Sequence, residues 1–342
     1  MIPETDSAQP SGTRRRSKTR RNVLFAFLGL FLVAAIIGTV FVANLARSFD
    51  SKTEHIANAF PDEASRPAKS ASDAMNILML GSDSRGDSLD MAGAGEASDQ
   101  RSDTMMWVHI PADRKNIVMM SIMRDTWVDI PGVGEAKINA AMAYGGVPLV
   151  VQTLEGLFKQ RLDHVAIVNF DGFKAITDSL GGVQVDVPLS FTTADDKFTF
   201  EAGPQVIDGD QALAFVRERY AFTDGDYQRV RNQQLFLKAV MNTALTPANL
   251  TNPVKINELV NKVAPSLTVD SELNSGAMGA LALSLRDVRG SDVKAFTLPT
   301  LGTGTSADGQ SIVLPDDAAI AAISEALSND SLVAYMRGSG LG

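Results

Sequence analysis

The sequence contains no cysteine and only three histidines among 342 residues. Without thiols there is no disulfide framework, no cysteine nucleophile and no thiolate metal centre. Three histidines leave too few imidazoles for a polyhistidine metal site. His109 lies in an apolar run and His164 abuts one, the setting of core or rim imidazoles. No G-x-S-x-G elbow supports a Ser–His–Asp triad, no phosphate-cradling Walker loop is present, and no internal repeat is visible. The net charge is −9, which does not favour a nucleic-acid partner.

One long apolar run is present. Residues 23–43 (VLFAFLGLFLVAAIIGTVFVA) hold no charged side chain. At 1.5 Å per residue the run spans roughly 30 Å, the thickness of a hydrocarbon core. Arg14, Arg15, Arg16, Lys18, Arg20 and Arg21 precede it, which keeps that side in the cytoplasm and sends the C-terminal side across. A cleaved signal peptide is the rival reading. The run is longer than a usual h-region and no A-x-A site follows before Arg47, so a retained anchor is expected. Removing the six cations and two acids of the tail leaves 25 cations against 38 acids, a balance of −13 outside. An anionic ligand must therefore be met by a local cluster of cations in an acidic domain.

The expected organisation is a basic cytoplasmic tail (1–22), a single transmembrane anchor (23–45), a linker (46–74), one extracytoplasmic domain (75–335) and a short tail (336–342). The linker reading rests on small polar residues with Pro61 and Pro67 and no apolar periodicity. NILMLG (76–81), TMMWVHI (104–110) and NIVMMSI (116–122) read as buried strands. Helical spacing appears in 139–160, interrupted at Gly145–Gly146, and in 170–180, between strands at 165–170 and 182–187. Further helices are expected at 226–245, 254–264, 272–286 and 316–328, with a strand at 293–298. Interleaved strands and helices give an α/β class: a central sheet flanked by helices in three layers.

Four polar clusters stand where strands or helices end. Gly81-Ser82-Asp83-Ser84-Arg85 follows the first buried strand, and ligands bind outside the carboxyl ends of strands in α/β sheets. Arg101-Ser102-Asp103-Thr104 leads into the next strand. If these strands pair, Asp83 and Asp103 come together, and two hard carboxylates suit an oxygen-loving divalent cation, Mg²⁺ first. Solvated loop acids in surface ion pairs are the alternative. Arg124 closes the third strand, either pairing Asp125 or offering a planar fork to an oxyanion. Lys137 and Asn139 near a helix start suit anion binding or capping equally. The fourth cluster is Arg217-Glu218-Arg219, then Asp226, Arg229, Arg231, Gln233 and Gln234. An extended 213–219 would point Arg217 and Arg219 the same way. On a helix from Asp226, the side chains of Asp226, Arg229 and Gln233 share a face that Leu237 continues into apolar territory. That gradient fits an amphiphile with a charged head; a solvated charged face is the alternative.

Taken in order and spacing, NILMLGSDSR (76–85), RSDTMMWVHI (101–110), SIMRDTW (121–127), VRERY (216–220) and DGDYQRVRNQQ (224–234) resemble the LytR–CpsA–Psr family of cell-wall glycopolymer ligases. The resemblance covers residues 75 to about 240 almost continuously. It implies a phosphotransferase outside the cytoplasmic membrane that moves a glycopolymer from a polyprenyl-pyrophosphate carrier to peptidoglycan, forming a phosphodiester. By matched motif it implies Mg²⁺, with Mn²⁺ as substitute, on Asp83 and Asp103. It also implies a pyrophosphate site of Arg85, Arg101, Arg124, Lys137, Arg217, Arg219, Arg229 and Gln233. Arg124 and Asp226 are the catalytic candidates, Asp226 as base, metal contact or arginine orienter. Two positions depart from the family pattern. Met123 stands where the family has proline, and Asn232 where it often has arginine. Arg231, one place earlier, points about 100° away round a helix. Two other readings share this site: a lipid-pyrophosphate phosphohydrolase, and a non-catalytic polyprenyl-phosphate-binding regulator of the envelope.

Overall fold

The computed structural model describes residues 36, 38–70, 72–82, 102–250 and 252–341. The expected tail 1–22 and most of the expected span 23–45 lie outside the described residues. Among the described residues no helix is long and apolar enough to cross a membrane. Residues 38–52 are helical (α1). The chain divides into two compact units after Arg47, and every element that follows belongs to the second, Ser48–Gly342.

Seven strands form the central sheet. They are β1 (Glu54–Ile56), β2 (Met75–Ser82), β3 (Ser102–Ile110), β4 (Ile117–Ile122), β7 (His164–Asn169), β12 (Leu267–Asp270) and β13 (Val293–Thr297). Their order is β1-β12-β7-β2-β3-β4-β13. Four two-residue to six-residue pairs stand apart from it: β5 (Trp127–Ile130) with β6 (Gly134–Lys137), β8 (Val183–Val187) with β11 (Gly203–Ile207), β9 (Phe191–Thr192) with β10 (Thr199–Phe200), and β14 (Thr300–Thr305) with β15 (Ser311–Pro315). The apolar run at 182–187 is thus a strand as expected, but in a small antiparallel pair outside the main sheet.

The sheet is mixed. β2 runs parallel to β7 and antiparallel to β3, β3 antiparallel to β4, and β4 parallel to β13. The carboxyl ends of β2, β4, β7 and β13 and the amino end of β3 therefore share one rim. That rim carries the site.

Both faces of the sheet are apolar because the central strands are buried on each side; β4 has no exposed residue. On one face Leu78, Trp107 and Met120 pack under α2 (Ala140–Phe158), α9 (Asp317–Ser328) and α10 (Leu332–Gly338), with Trp107 edge-on to Phe158 at 5.2 Å. Trp107 donates from Nε1 to Asn76 Oδ1. On the other face Ile77, Met106 and Met119 pack under α5 (Gly225–Ala244) and α8 (Ser275–Ser284). A neighbouring cluster joins α3 (Phe170–Ser179), α4 (Gly209–Arg217) and α5 to β8, β9 and β10. Two short connections, α6 (Pro247–Leu250) and α7 (Pro253–Val263), lead from α5 to β12. Within α2, Gly146 has φ 63 and ψ −159, a conformation open essentially to glycine alone, so the helix kinks where the Gly145–Gly146 pair predicts.

Three expectations need correction. Segment 46–74 is not merely a linker: Glu54–Ile56 adds the edge strand beside β12, and Ile56 is 1% exposed. Polar composition hid this: only a few apolar residues, Ile56, Ala59 and Phe60, reach the core, and ion pairs fix the rest. Arg66 donates to the buried Glu155 and to Leu162 O, and Arg161 pairs with Glu63. Residues 336–342 are not all tail, since α10 runs to Gly338 and buries Met336 in the core. Residues 213–217 are helical rather than extended. Asp208 and Gln211 form a reciprocal capping box that starts α4, and the chain becomes extended only at Glu218.

Candidate functional site

The turn after β4 is tightly fixed. Thr126 donates from both N and Oγ1 to Met123 O, and the 138–139 segment laces onto it through Ile138 N–Thr126 O and Asn139 N–Arg124 O. This holds Arg124 at the rim, with its Nε 3.4 Å from Asp125 Oδ2. Lys137 places its ammonium 3.2 Å from the other Asp125 oxygen. Lys137 thus reaches the cluster through Asp125 and does not line the cavity.

The other cations come from α4 and α5. Arg217 ends α4 and stacks on the Phe170 ring, 4.5 Å from its centroid. Arg229 sits on the second turn of α5 and forms an ion pair with Asp226, its guanidinium 2.8 Å from Oδ1. Arg219 lies 3.6 Å from the same oxygen and donates to the Tyr220 hydroxyl. That hydroxyl, followed by the Asp226 charge, raises the proton affinity of the Arg219 guanidinium. Asp226 thus stands between the guanidinium groups of Arg219 and Arg229. Arg231 points away, pairing with Asp224 and Gln228 on the exposed side, while Asn232 is buried and donates to Phe215 O. The single step between 231 and 232 separates surface from core, as the helical angle predicts.

These side chains share one cavity of about 390 Å³. Arg124, Arg217, Arg219, Arg229 and Gln233 line it near the rim. Its floor is the sheet face carrying Met79, Gly81, Thr104, Met106 and Val168, in paired register across β2, β3 and β7. Its walls are Phe173 and Ile176 of α3 and Phe236, Leu237 and Val240 of α5. Along α5 the lining passes from Arg229 and Gln233 to Phe236, Leu237 and Val240. The polar-to-apolar gradient expected from the sequence is present. Gly81 belongs to the floor for a steric reason: a Cβ there would sit 3.1 Å from Thr104 Cβ.

Asp83, Arg85 and Arg101 lie outside the described residues. Asp103 is placed by its backbone alone, in β3, one residue from the Ser82–Ser102 pair. Among the described residues no group of three or more carboxylates and imidazoles is spaced to hold a metal. Two of the three histidines are tied into the fold. His109 bridges Asn76 and Asp330, and His164 bonds the buried Asp270.

Sequence reasoning missed Glu218. It is 7% exposed, and its Oε1 accepts the backbone N–H groups of Arg219, Tyr220 and Ala221 at 2.9, 2.7 and 3.0 Å. Oε2 accepts Ala194 N–H at 2.8 Å. The carboxylate shapes the turn that aims Arg219. Between two arginines it looks like a charge neutraliser, and nothing in the sequence marks its backbone role.

A model of the LytR_cpsA_psr family matches residues 39–329. A polyisoprenyl-teichoic acid–peptidoglycan teichoic acid transferase, TagU of Enterococcus faecalis, is 29% identical over 303 residues, 88% of this chain and 93% of that protein. TagU of Oceanobacillus iheyensis is 32% identical over 285 residues, 79% of this chain and 83% of that one. The crystal structure of B. subtilis TagV superposes with a TM-score of 0.63 at 25% identity, covering 75% of this chain and 97% of TagV. The family match, the aligned relatives and the shared fold agree with the cation-lined cavity: this chain belongs to the LytR–CpsA–Psr family.

Proposed function

We propose that this protein transfers a glycopolymer from a polyisoprenyl-pyrophosphate carrier to peptidoglycan outside the cytoplasmic membrane. The observation that carries the reading is the cavity itself, apolar on floor and walls and bordered at the rim by Arg124, Arg217, Arg219 and Arg229. A lipid pyrophosphate needs both halves. The TagU relatives, named for transfer of teichoic acid from a polyisoprenyl carrier to peptidoglycan, support the same assignment.

In the proposed step an acceptor hydroxyl oxygen attacks the glycan-side phosphorus. The bond from that phosphorus to the bridging oxygen breaks, and polyisoprenyl phosphate leaves with the electron pair. The hydroxyl proton passes to solvent or to a carboxylate at the rim. Phosphoryl transfer asks mainly for placement and charge stabilisation, which guanidinium groups provide. Arg124 and Arg229 would bracket the reacting phosphate, Arg217 and Arg219 the leaving one. Asp226 holds Arg219 and Arg229 in their directions.

The donor set suits Mg²⁺, with Mn²⁺ as a substitute. Ser82 pairs with Ser102 in the β2–β3 ladder, and the next residue of the sequence after each is an aspartate, Asp83 and Asp103, whose hard carboxylate oxygens would hold the ion. When bound, the ion would neutralise pyrophosphate charge. Residues 23–43 would anchor the chain with its N-terminus cytoplasmic.

The test uses full-length protein in nanodiscs with a polyisoprenyl-pyrophosphate glycan, Mg²⁺ and peptidoglycan fragments. Mass spectrometry should find the phosphodiester product together with free polyisoprenyl phosphate. Arg124→Ala and Arg229→Ala should each lower kcat/KM by about a hundredfold or more, in line with the loss of one transition-state charge contact. Unchanged turnover in both variants would remove the site assignment; carrier release without transfer would make the protein a phosphohydrolase.

A further inference from the structure

Gln234 follows Gln233 in the sequence, yet only Gln233 lines the cavity. The half-buried Gln234 side chain reaches instead to the ends of two strands. Its Nε2 donates to Ser121 Oγ and to Thr297 Oγ1, both at 3.0 Å. Ser121 and Thr297 are partners in the parallel β4–β13 ladder, so one NH₂ group spans both strands and uses both its hydrogens. Ser121 is buried and lies three residues before Arg124.

Gln234 belongs to a stripe. Tyr227, Val230 and Gln234 follow i, i+3, i+7 and share one side of α5. Tyr227 and Val230 pack with Met123, the residue before Arg124, and with Val313 of β15. The Tyr227 hydroxyl is 3.1 Å from Thr300 Oγ1 at the start of β14. Val313 N donates to Asp125 O at 2.9 Å, so β15 grips the same turn. The adjoining stripe of α5, Arg229, Gln233 and Leu237, lines the cavity. Toward α4, Asn232 Nδ2 donates to Phe215 O and Gln233 Nε2 to Val216 O, both at 3.3 Å, in the last turn of the helix that Arg217 ends. Three successive amides thus fan through about 200° of helix and tie α5 to α4 on one side and to the sheet on the other. Arg124 rides on the end of β4 and Arg229 on α5. Their spacing is therefore set by how α5 is rolled and seated against the strand ends, and Gln234 is the polar contact that fixes this seat.

We propose that Gln234 is a positioning residue for the transfer: through Ser121 and Thr297 it holds Arg229 at the spacing from Arg124 that brackets the reacting phosphate. This deepens the transferase reading and rests on it. Small misplacements of groups that stabilise a transition state are costly in rate, whereas a bond that only stabilised the fold would leave the turnover of folded enzyme unchanged.

The test compares variants of the full-length chain in nanodiscs, with a polyisoprenyl-pyrophosphate glycan, Mg²⁺ and peptidoglycan fragments. Thr297→Val removes one acceptor at nearly constant shape, and Thr297→Ser keeps it. Gln234→Met should lower kcat about tenfold and Thr297→Val about threefold. KM for the donor should stay within about twofold in both, because the walls that hold the prenyl chain are untouched. Thr297→Ser should keep the parental kcat. In an Arg229→Ala background, Gln234→Met should lower kcat less than about twofold, since the side chain it positions is gone. Parental kcat in both Gln234→Met and Thr297→Val would overturn the proposal, and so would an undiminished loss in the Arg229→Ala background or an equal loss in Thr297→Ser and Thr297→Val. If Gln234→Met does not fold, the two Thr297 variants decide. Absence of turnover by the unmodified chain would indict the transferase reading, and calorimetric binding of inorganic pyrophosphate would then decide the positioning. Affinity at least threefold weaker in Thr297→Val than in Thr297→Ser supports it; equal affinity overturns it.

Discussion

Replacing Glu218 with alanine removes a carboxylate that holds four backbone N–H groups, and the consequence can be worked from their distances. Arg219, Tyr220 and Ala221 donate to one oxygen at 2.7–3.0 Å and Ala194 to the other at 2.8 Å. A hydrogen bond to a charged group contributes about 1.5–3 kcal/mol. Three of these share one oxygen, and water can reach a turn whose Tyr220 is exposed, so the four do not add. A total of about 2–4 kcal/mol is expected. Glu218→Gln keeps the oxygen that serves three donors and sets an amide NH₂ against Ala194, so about 1 kcal/mol is lost. Freed from its turn, Arg219 loses its fixed position near Asp226, and kcat/KM for the donor should fall about tenfold to a hundredfold in Glu218→Ala, at 1.4 kcal/mol per factor of ten. Denaturant unfolding measures the stability, and release of polyisoprenyl phosphate measures the turnover. An alanine variant as active as the parent, or a glutamine variant as impaired as alanine, would refute this reasoning.

Other outcomes follow from the same geometry. Arg231→Ala should leave transfer within about twofold, because its partners Asp224 and Gln228 are on the exposed side of α5; a large loss in the same turnover assay would mean that α5 presents a different side to the substrate. Val240→Trp should fill the apolar wall and raise KM for long-prenyl donors more than for short ones, measured by paired kinetics. Asp270 is 1% exposed. Burial opposes its charge, but hydrogen bonds from His164 and the backbone of Val165 and Glu272 outweigh that and hold the carboxyl below the usual range. Its contribution to stability is present above about pH 4 and lost as pH falls through the lowered pKa. Denaturation midpoints should therefore drop on acidification, and Asp270→Ala should cost about 2–4 kcal/mol at neutral pH and flatten the acid slope. Gly146→Ala should destabilise by about 1–3 kcal/mol in denaturant unfolding, because its backbone conformation is open essentially to glycine.

Much of the architecture is legible in the sequence where periodicity is strong. The runs NILMLG, TMMWVHI and NIVMMSI are adjacent strands, and the stripe Arg229–Gln233–Leu237 does line one cavity. Long-range pairing is what the sequence conceals. β1 is three residues of Glu-His-Ile, too short to show alternation, and only its partner β12, more than two hundred residues later, makes it a strand. Arg217 and Arg219 converge on the cavity, but from a helix end and the turn after it, because the Asp208–Gln211 capping box outweighs the extended reading. Lys137 looks like a direct anion ligand and is instead one ion pair removed, since Asp125 stands between it and Arg124. The α3 wall, Phe173 and Ile176, has ordinary amphipathic spacing that fits any core, and only the fold turns those residues toward a cavity.

In the proposed reaction a lipid pyrophosphate occupies this cavity with its charges at the rim. The most direct measurement is a crystal structure of the protein with a short-chain prenyl pyrophosphate. Density for paired phosphates within hydrogen-bond reach of Arg124, Arg217, Arg219 and Arg229, with the chain running between α5 and the Met79–Met106 floor, is the predicted result. Phosphates bound away from those guanidinium groups, or a prenyl chain lying outside the cavity, would contradict it.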